Sequence, residues 1–429
     1  MHLNTSYWSY LSYRSHRSYR SYPSYRSYPS YRSYCLHLSS PPALLKKCQF
    51  TGIIVRVFAD RGRAADENPG WGSRDRGLLY VLREQRPETG EATEAFRRTG
   101  LFDVMKLIDD YNRVIDYVRI SVTDRCNLRC RYCVDGDFPF IPHTEVLSYE
   151  EIIRFVRICA LLGVKKVRLT GGEPLTRKGL PHLLKEIGSI EGITDISLTT
   201  NGVLLADHLE ELKEAGLKRI NISLDTLRKD RFAWITCIDA FDRVIDGIKK
   251  ASYAGLNPIK INTVIIKDFN DDEILDFVRI ARKWDHEIRF IEFMPFGDTS
   301  LWRSTEIITS RQIEEIIRRD FELLPSLRPG KGPAKVFDIA GGSGRIGFIS
   351  PVSSHICAEC NRIRLTSRGM IRPCLFSDVE YDVKALMRSG RSDDDVKEFI
   401  RGVVKVKPER KLEMGAIRKC QRSLRNIGG

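Results

Sequence analysis

Tyr117-Val-Arg-Ile-Ser-Val122 and the residues after it, Thr123-Asp-Arg-Cys126-Asn-Leu-Arg-Cys130-Arg-Tyr-Cys133, decide how this chain is read. The first six form a short β-branched run of the kind that makes a buried strand. The strand leads directly into three cysteines spaced x3 and then x2. Three thiolates on one short loop can hold three irons of a [4Fe–4S] cube and leave the fourth iron open to a small molecule. A zinc knuckle would need a fourth ligand nearby, for which His143 is the obvious candidate. Three unrelated buried thiols are the bland alternative.

Working outward, similar β-branched runs occur at Lys166–Thr170, Ile193–Leu198, Lys218–Leu224, Ile259–Ile266 and Ile288–Phe293. Helical patterns lie between them at Tyr149–Leu162, Leu204–Ala215, Phe241–Ala254 and Asp272–Trp284. In the third of these, Phe241, Val244, Ile245, Ile248 and Ala251 keep i, i+3, i+4 spacing. About six β-then-α units predict a parallel sheet with right-handed crossovers, closed or nearly closed as a barrel. Chemistry in such folds gathers at the C-terminal ends of the strands. Gly171-Gly172-Glu173-Pro174, Thr199-Thr200-Asn201-Gly202 and Asn221-Ile-Ser223-Leu-Asp225 all fall at such ends. Paired glycines let backbone approach a ligand where a Cβ would clash, although each motif alone suits a turn or a helix cap equally well. After Pro295 the alternation fades, and a helix near Ser310–Arg319 leads into a Gly-rich, Cys-bearing region with a basic tail.

The chain has 429 residues, enough for a large α/β barrel with extensions. No apolar run is long enough for a membrane span, and no apolar stretch precedes a small-residue cleavage site, so a cytoplasmic protein is expected. Residues 1–100 carry 16 Lys/Arg against 8 Asp/Glu, more than half of the net charge of +14. Much of that excess sits where Tyr recurs between Tyr7 and Tyr34 among Ser, Arg and Pro, a composition that cannot bury enough apolar surface to offset its ordering entropy. Residues 1–104 therefore read as a disordered, low-complexity extension, with Met105 as an alternative start and 105–429 as the complete functional unit. A nucleic-acid partner is disfavoured, because the remaining charge suits a phosphorylated small molecule as well. Of the 11 cysteines, six form two tight triplets, which in a chain without an export signal favours metal ligation over disulfides. Cys159 lies on the apolar face of a helix and reads as a small core residue.

The second triplet is Cys357-Ala-Glu-Cys360 with Cys374, and Asn361-Arg362-Ile363-Arg364 follows its first pair. The Cys126–Cys133 spacing resembles that of radical S-adenosylmethionine enzymes. Together with Arg119-Ile-Ser-Val-Thr-Asp, Val164-Lys-Lys-Val-Arg-Leu-Thr-Gly-Gly-Glu-Pro, Glu287-Ile-Arg-Phe-Ile-Glu-Phe-Met and the Cys-x2-Cys-Asn-Arg-Ile-Arg run, it resembles one family, the GTP 3′,8-cyclases of molybdenum cofactor (molybdopterin) biosynthesis. The likeness runs from about Ile108 to Gly428-Gly429.

The resemblance implies an incomplete (β/α)6-type barrel over 105–295 and a C-terminal region, 296–429, that covers its open side. It implies two [4Fe–4S] clusters, on Cys126, Cys130 and Cys133 and on Cys357, Cys360 and Cys374. S-adenosylmethionine would bind the open iron of the first, contacted by Tyr132, Gly172, Ser223 and Met294. A 5′-deoxyadenosyl radical would abstract the ribose 3′ hydrogen of GTP, and the carbon radical would attack C8 of the base. Physically, a triphosphate calls for cations converging on the strand ends, and guanidinium forks suit its oxygens. Arg119, Lys166, Arg168, Lys260, Arg289, Arg362 and Arg364 are placed for this, with Thr199 and Ile363 completing the implied GTP site. Arg119, Arg168 and Arg289 each interrupt an apolar strand, where an unpaired charge would be costly.

Implied partners are a flavodoxin- or ferredoxin-like electron donor and the downstream cyclic pyranopterin monophosphate synthase, with the chain a monomer or homodimer. Gly428 and Gly429, having no side chains, suit a tail threaded into a crowded cavity. The segment around Trp234-Ile-Thr-Cys237-Ile-Asp lacks the family's Gly-Arg after Thr236, which bears on a loop and not on the site. The rival readings are another radical S-adenosylmethionine enzyme modifying a peptide or protein, and a basic zinc protein binding nucleic acid.

Overall fold

Alternation with a period of two organises this chain. In each central strand one set of side chains, largely apolar, packs under the helices, and the other, largely polar, faces a cavity. The strands are β1 (Tyr117–Ser121), β2 (Lys166–Thr170), β3 (Asp195–Thr200), β4 (Arg219–Ser223), β5 (Ile259–Ile265) and β6 (His286–Glu292). The computed structural model describes residues 106–133, 140–294, 296, 307–327, 332–354, 357–410 and 424–428. The expectations for 1–104, Met105 and Gly429, and Cys35, Cys48 and Cys420, lie outside those residues.

The six strands pair in parallel and in sequence order, joined by α1 (Tyr149–Leu161), α2 (Leu180–Gly188), α3 (Leu205–Glu214), α4 (Lys229–Thr236) with α5 (Phe241–Tyr253), and α6 (Ile274–Lys283). Helix α1 starts at a capping box: Ser148 Oγ accepts from the Glu151 N–H, and the Glu151 carboxylate accepts from the Ser148 N–H. Its buried face, Ile152 to Cys159, packs on Val118, Ile120, Val167 and Leu169 in one continuous core. Cys159 is fully buried there.

The sheet does not close. It continues at both edges with strands from the C-terminal region: β7 (Leu323–Pro325), β8 (Lys335–Ile339), β9 (Arg345–Ile349), β10 (Arg362–Leu365), β11 (Met370–Arg372) and β12 (Tyr381–Asp382). The order is β12-β11-β10-β1-β2-β3-β4-β5-β6-β9-β8-β7. Strand β10 joins β1 and β9 joins β6, both in parallel; the outer strands turn antiparallel and shorten to two and three residues at the edges. The sheet is therefore the incomplete barrel and not the closed one, with β12 and β7 as its free edges. Helices α7 (Ser310–Arg318), α8 (Val383–Arg388) and α9 (Asp393–Lys405) complete the C-terminal region, followed by α10 (Leu424–Ile427). Glu292, fully buried at the end of β6, ties that region on by accepting from the backbone N–H groups of Ser310, Val352 and Ser353. Among the described residues no helix is long and apolar enough to cross a membrane.

Candidate active site

The polar set of alternate side chains lines one cavity of about 660 Å³. Backbone register fixes which residues meet: Arg364, Arg119, Arg168 and Ser197 are neighbours across β10, β1, β2 and β3. Thr199 is level with Asn221, which is level with Lys260, and Asn262 is level with Arg289. Next to Arg289 on β9 is Gly347, where a Cβ would sit 3.2 Å from the Arg289 Cγ, so glycine there leaves room for the arginine. Ile363 takes the opposite face of β10 and is buried in the core, so its side chain does not reach the cavity.

Both cysteine triplets line this cavity, at different ends of the strands. The first follows β1, at the C-terminal ends of the parallel strands. The second does not share that end. Cys360 precedes β10, whose first residue is level with Tyr117, and Cys374 follows the antiparallel β11. The two ends are separated by the strand length, about 13 Å over four residue steps. The cations also do not converge on strand ends as expected. Lys166 and Lys260 lie at strand starts, Arg119 and Arg168 at mid-strand, so positive charge runs along the bore.

At the C-terminal ends, the loop of the first triplet is clamped from two sides. Its Arg129 and Arg131 N–H groups donate to the carbonyls of Thr236 and Ile235, each at 2.9 Å. The segment carrying Cys237, read from sequence as remote from the site, therefore supports the loop directly. On the other side a Cβ on Gly172 would lie 2.4 Å from the Arg125 carbonyl oxygen, and one on Gly171 2.7 Å from that of Thr123. The close approach that requires these two glycines is thus to the chain's own cysteine loop; both also border the cavity. Glu173, fully buried, accepts from the Asn201 N–H, the Thr200 hydroxyl and the Leu175 N–H, and burial pushes its carboxyl up to about 7 against those bonds. The Asn201 amide in turn donates to Asn127 Oδ1 at 2.8 Å and lies 3.8 Å from the Cys126 sulfur. Tyr132 donates its hydroxyl to Asp225 at 2.6 Å, and burial raises the Asp225 carboxyl to about 6. Ser223 and Met294 complete this end of the cavity.

Along the wall, burial and mutual repulsion press on the cations. Burial, with Arg168 and Arg362 adding to it, brings the Arg119 guanidinium down to about 10. Burial and then Arg289 bring Lys260 down to about 8, with Glu287 opposing. Arg364 is held well below its ordinary value by burial, Arg119 and Arg362. Compensation is local: Glu287 lies 3.6 Å from Lys260 and also pairs with Arg289 and Arg345, and Asp116 lies 3.0 Å from Lys166. Among the described residues, the Thr199 hydroxyl, both ends of the Asn221 amide and the Asn262 carbonyl oxygen are buried without a hydrogen-bond partner. Unmade bonds of that kind cost about 1–3 kcal/mol each and mark a wall built to receive a polar guest.

The tail enters from the C-terminal side. Gly428 is buried at φ +69°, and a Cβ there would meet Thr170 Cγ2 at 2.8 Å and Ser121 Cβ at 3.1 Å. Its carbonyl accepts from Arg364 Nη1 at 2.7 Å. Ile427 packs against Phe296 beside Met294 and Phe376, and Arg425 is buried in the cavity lining.

A family model described as the Radical SAM superfamily matches residues 120–281, and one described as Molybdenum Cofactor Synthesis C matches 286–413. The GTP 3′,8-cyclase of Thermodesulfovibrio yellowstonii is 47% identical over 324 residues, covering 75% of this chain and 99% of that protein. That of Syntrophomonas wolfei is 46% identical over 326 residues, 75% of this chain and 100% of that one. The chain belongs to the GTP 3′,8-cyclase family. In fold it is similar to Streptococcus suis SuiB bound to S-adenosylmethionine, with a TM-score of 0.50 at 16% identity over 75% of each chain.

As a member of the radical S-adenosylmethionine superfamily, this cyclase-family chain takes a [4Fe–4S] cluster and S-adenosylmethionine. Its donor set fits the cluster. Cys126, Cys130 and Cys133 are free thiols, half-buried on one loop. Burial raises all three, Cys133 to about 12, so as thiolates they call for the positive charge that cluster iron supplies. His143, the candidate fourth ligand of a zinc site, is turned toward Arg125, with its Nε2 3.1 Å from the guanidinium. Among the described residues, no group of three or more His, Cys, Asp or Glu is placed to hold a metal ion. Sequence reasoning missed Asp225, Arg425 and Lys407 in this lining. Asp225 and its partner Tyr132 are both inside quoted motifs, but only the fold brings β4 to the cysteine loop. Lys407 and Arg425 lie in basic stretches that offer no periodic signal.

Proposed function

We propose that this chain cyclises GTP to (8S)-3′,8-cyclo-7,8-dihydroguanosine 5′-triphosphate, the first step of molybdenum cofactor biosynthesis. One observation carries the reading: a single cavity has a cysteine triplet at each end of its strands, with cations and unpartnered polar groups along the wall between. The relatives favour this over a peptide- or protein-modifying radical enzyme.

When bound at the first triplet, the cluster and S-adenosylmethionine would supply the one-electron radical chemistry needed to remove the ribose 3′ hydrogen. The chain's own residues hold and align. Tyr132, braced by Asp225, and Gly172, Ser223 and Met294 would seat the cosubstrate at the C-terminal strand ends. Arg119, Lys166, Arg168, Lys260, Arg289, Arg362 and Arg364 would bind the triphosphate and base edge, with Thr199 a hydrogen-bond partner and Ile363 confined to a backbone contact. The C-terminal Gly428-Gly429 would close over the reacting ribose and exclude water. Holding the ribose C3′ against C8 is the entropic part of the catalysis, and a misplacement of about 1 Å can cost roughly a hundredfold.

The second triplet would hold a second [4Fe–4S] cluster facing the guanine. Its donor set suits this: burial would raise the Cys360 thiol, but the Lys407 and Arg362 charges and their hydrogen bonds bring it down to about 7. Two electrons per turnover, one to open the sulfonium and one that arrives with a proton at N7 of the cyclised base, would come from a flavodoxin- or ferredoxin-like donor, and exposed Arg125, Arg129 and Arg131 on the first cysteine loop suit an acidic carrier. The barrel would span 105–295 and the second-cluster region 296–429.

The experiment is anaerobic incubation with S-adenosylmethionine, a strong reductant and GTP, followed by mass analysis. The product should have the mass of GTP but a different retention, because the hydrogen lost at C3′ is matched by one gained at N7. It should form in step with 5′-deoxyadenosine. Deoxyadenosine with unaltered GTP would overturn the reading.

A further inference from the structure

We infer that Lys407 and Arg113 are positioning residues for the second cysteine triplet: two buried cations, meeting on one strap after α9, that hold its three ligand-bearing segments together. The inference rests on the proposal that this triplet carries a cluster.

Lys407 is 3% exposed, and its ammonium donates to the Arg362 carbonyl at 2.9 Å and the Pro373 carbonyl at 2.7 Å. Arg362 is two residues past Cys360, and Pro373 immediately precedes Cys374. One side chain therefore bridges the two segments that bring Cys360 and Cys374 to the cavity. Arg113, 7% exposed, takes the remaining ligand segment. Its Nη1 donates to the Cys357 carbonyl at 2.7 Å and the Glu409 carbonyl at 2.8 Å, and its Nη2 to the Pro408 carbonyl at 2.7 Å. Consecutive residues 407–409 thus form a common anchor, tied through two cations to the backbone beside all three cysteines.

The two cations differ in how their charge is met. Arg113 is neutralised by buried Asp109, whose carboxylate lies 2.6 Å from its Nε and also accepts from the Tyr111 and Arg113 N–H groups. Lys407 pairs with no carboxylate among the described residues; its partners are neutral carbonyls and the neighbouring Cys360 sulfur. A buried ammonium on neutral acceptors alone is costly. As ligands of the net anionic cluster they would hold, the triplet's cysteines would supply the missing counter-charge. Lys407 is in this sense a partner of the metal site, and a purely structural strap would not need its charge.

The test uses the full chain carrying Cys126→Ala, Cys130→Ala and Cys133→Ala, so that only the second triplet can load. After anaerobic reconstitution with ferrous iron and sulfide, iron per chain and the rate of iron loss to a chelator are measured, with circular dichroism melting in parallel. Removing such a supporting partner typically weakens metal retention about tenfold or more. Lys407→Met should lose iron about tenfold faster, and Lys407→Arg should restore most of the retention. Arg113→Lys keeps the charge but loses the fork, and should lose iron faster with little change in melting. Arg113→Lys decides the matter alone if Lys407→Met does not fold. Parental iron retention in folded Lys407→Met or in Arg113→Lys would overturn the inference while leaving the cluster in place. If the parent itself takes up no iron, the cluster proposal and this inference fall together.

Discussion

Replacing Gly428 with Ala puts one methyl group where the tail threads between two strand ends. The backbone there has φ +69°, a region that costs an L-residue with a Cβ about 1–2 kcal/mol. The new Cβ would sit 2.8 Å from Thr170 Cγ2 and 3.1 Å from Ser121 Cβ. Overpacking of this sort costs about 1–3 kcal/mol. Both penalties act on a short terminal segment that can undock without unfolding the sheet, so they tax the docked state by about 2–5 kcal/mol in sum. If cyclisation requires the docked tail, product formation should fall by roughly 30-fold to several-thousand-fold. Deoxyadenosine formation should persist, since the three cysteines of the first loop are unaltered. The assay follows cyclised nucleotide and 5′-deoxyadenosine separately under anaerobic turnover. Thr170→Ser deletes the methyl that makes the closest contact, so adding it to Gly428→Ala should recover about tenfold while the φ penalty remains. Product formation at the parental rate in Gly428→Ala would refute the reasoning, as would a further loss in the double variant.

Three further outcomes follow from the same geometry. Cys130→Ala should abolish both deoxyadenosine and product, whereas Cys374→Ala, checked for iron content and fold, should keep some deoxyadenosine and lose product; equal loss of both in the two variants would contradict a division of labour. Arg364→Ala removes a charge-assisted bond to the Gly428 carbonyl as well as a wall cation, and should lower cyclisation about 10- to 100-fold with deoxyadenosine largely retained; a parallel fall in deoxyadenosine would count against it. Glu173 has its folded carboxyl raised to about 7 from an ordinary value near 4.5, so the folded state holds the extra proton between those limits. Stability therefore falls as pH rises through that window, by at most about 1.4 kcal/mol per pH unit. Glu173→Gln should flatten that slope in urea unfolding of the metal-free protein, and an unchanged slope would disprove the assignment.

Much of the barrel was legible because its signals are local. The β-branched run at Lys166–Thr170 is a strand with those bounds, and the periodic Phe241–Ala254 pattern is a helix ending one residue earlier. What could not be read is what depends on pairing between distant segments. Arg362-Ile-Arg-Leu365 was quoted as a motif, yet nothing local says that it forms a parallel strand beside β1 and so sets Arg364 level with Arg119. The same pairing turns Ile363 into the core, a consequence of period-two alternation that needs the strand assignment first. The position of the second triplet at the N-terminal strand ends follows from it as well. Gly171 and Gly172 read as places where backbone approaches a ligand; the close neighbours that the fold brings there are the backbones of Thr123 and Arg125, residues almost fifty positions earlier. Lys407, in a basic stretch, and Arg113, among aspartates, carry no signal, since either is indistinguishable from a solvated cation until its carbonyl partners are brought to it.

Hydrogen abstraction at the ribose C3′ of GTP would start the reaction in this cavity. The most direct measurement is a single anaerobic turnover with GTP carrying deuterium at C3′ alone, followed by mass analysis of the 5′-deoxyadenosine formed. The deuterium should leave the nucleotide and appear in 5′-deoxyadenosine in step with the cyclised product. 5′-Deoxyadenosine that forms without the label, while the nucleotide product keeps it, would rule out abstraction at C3′.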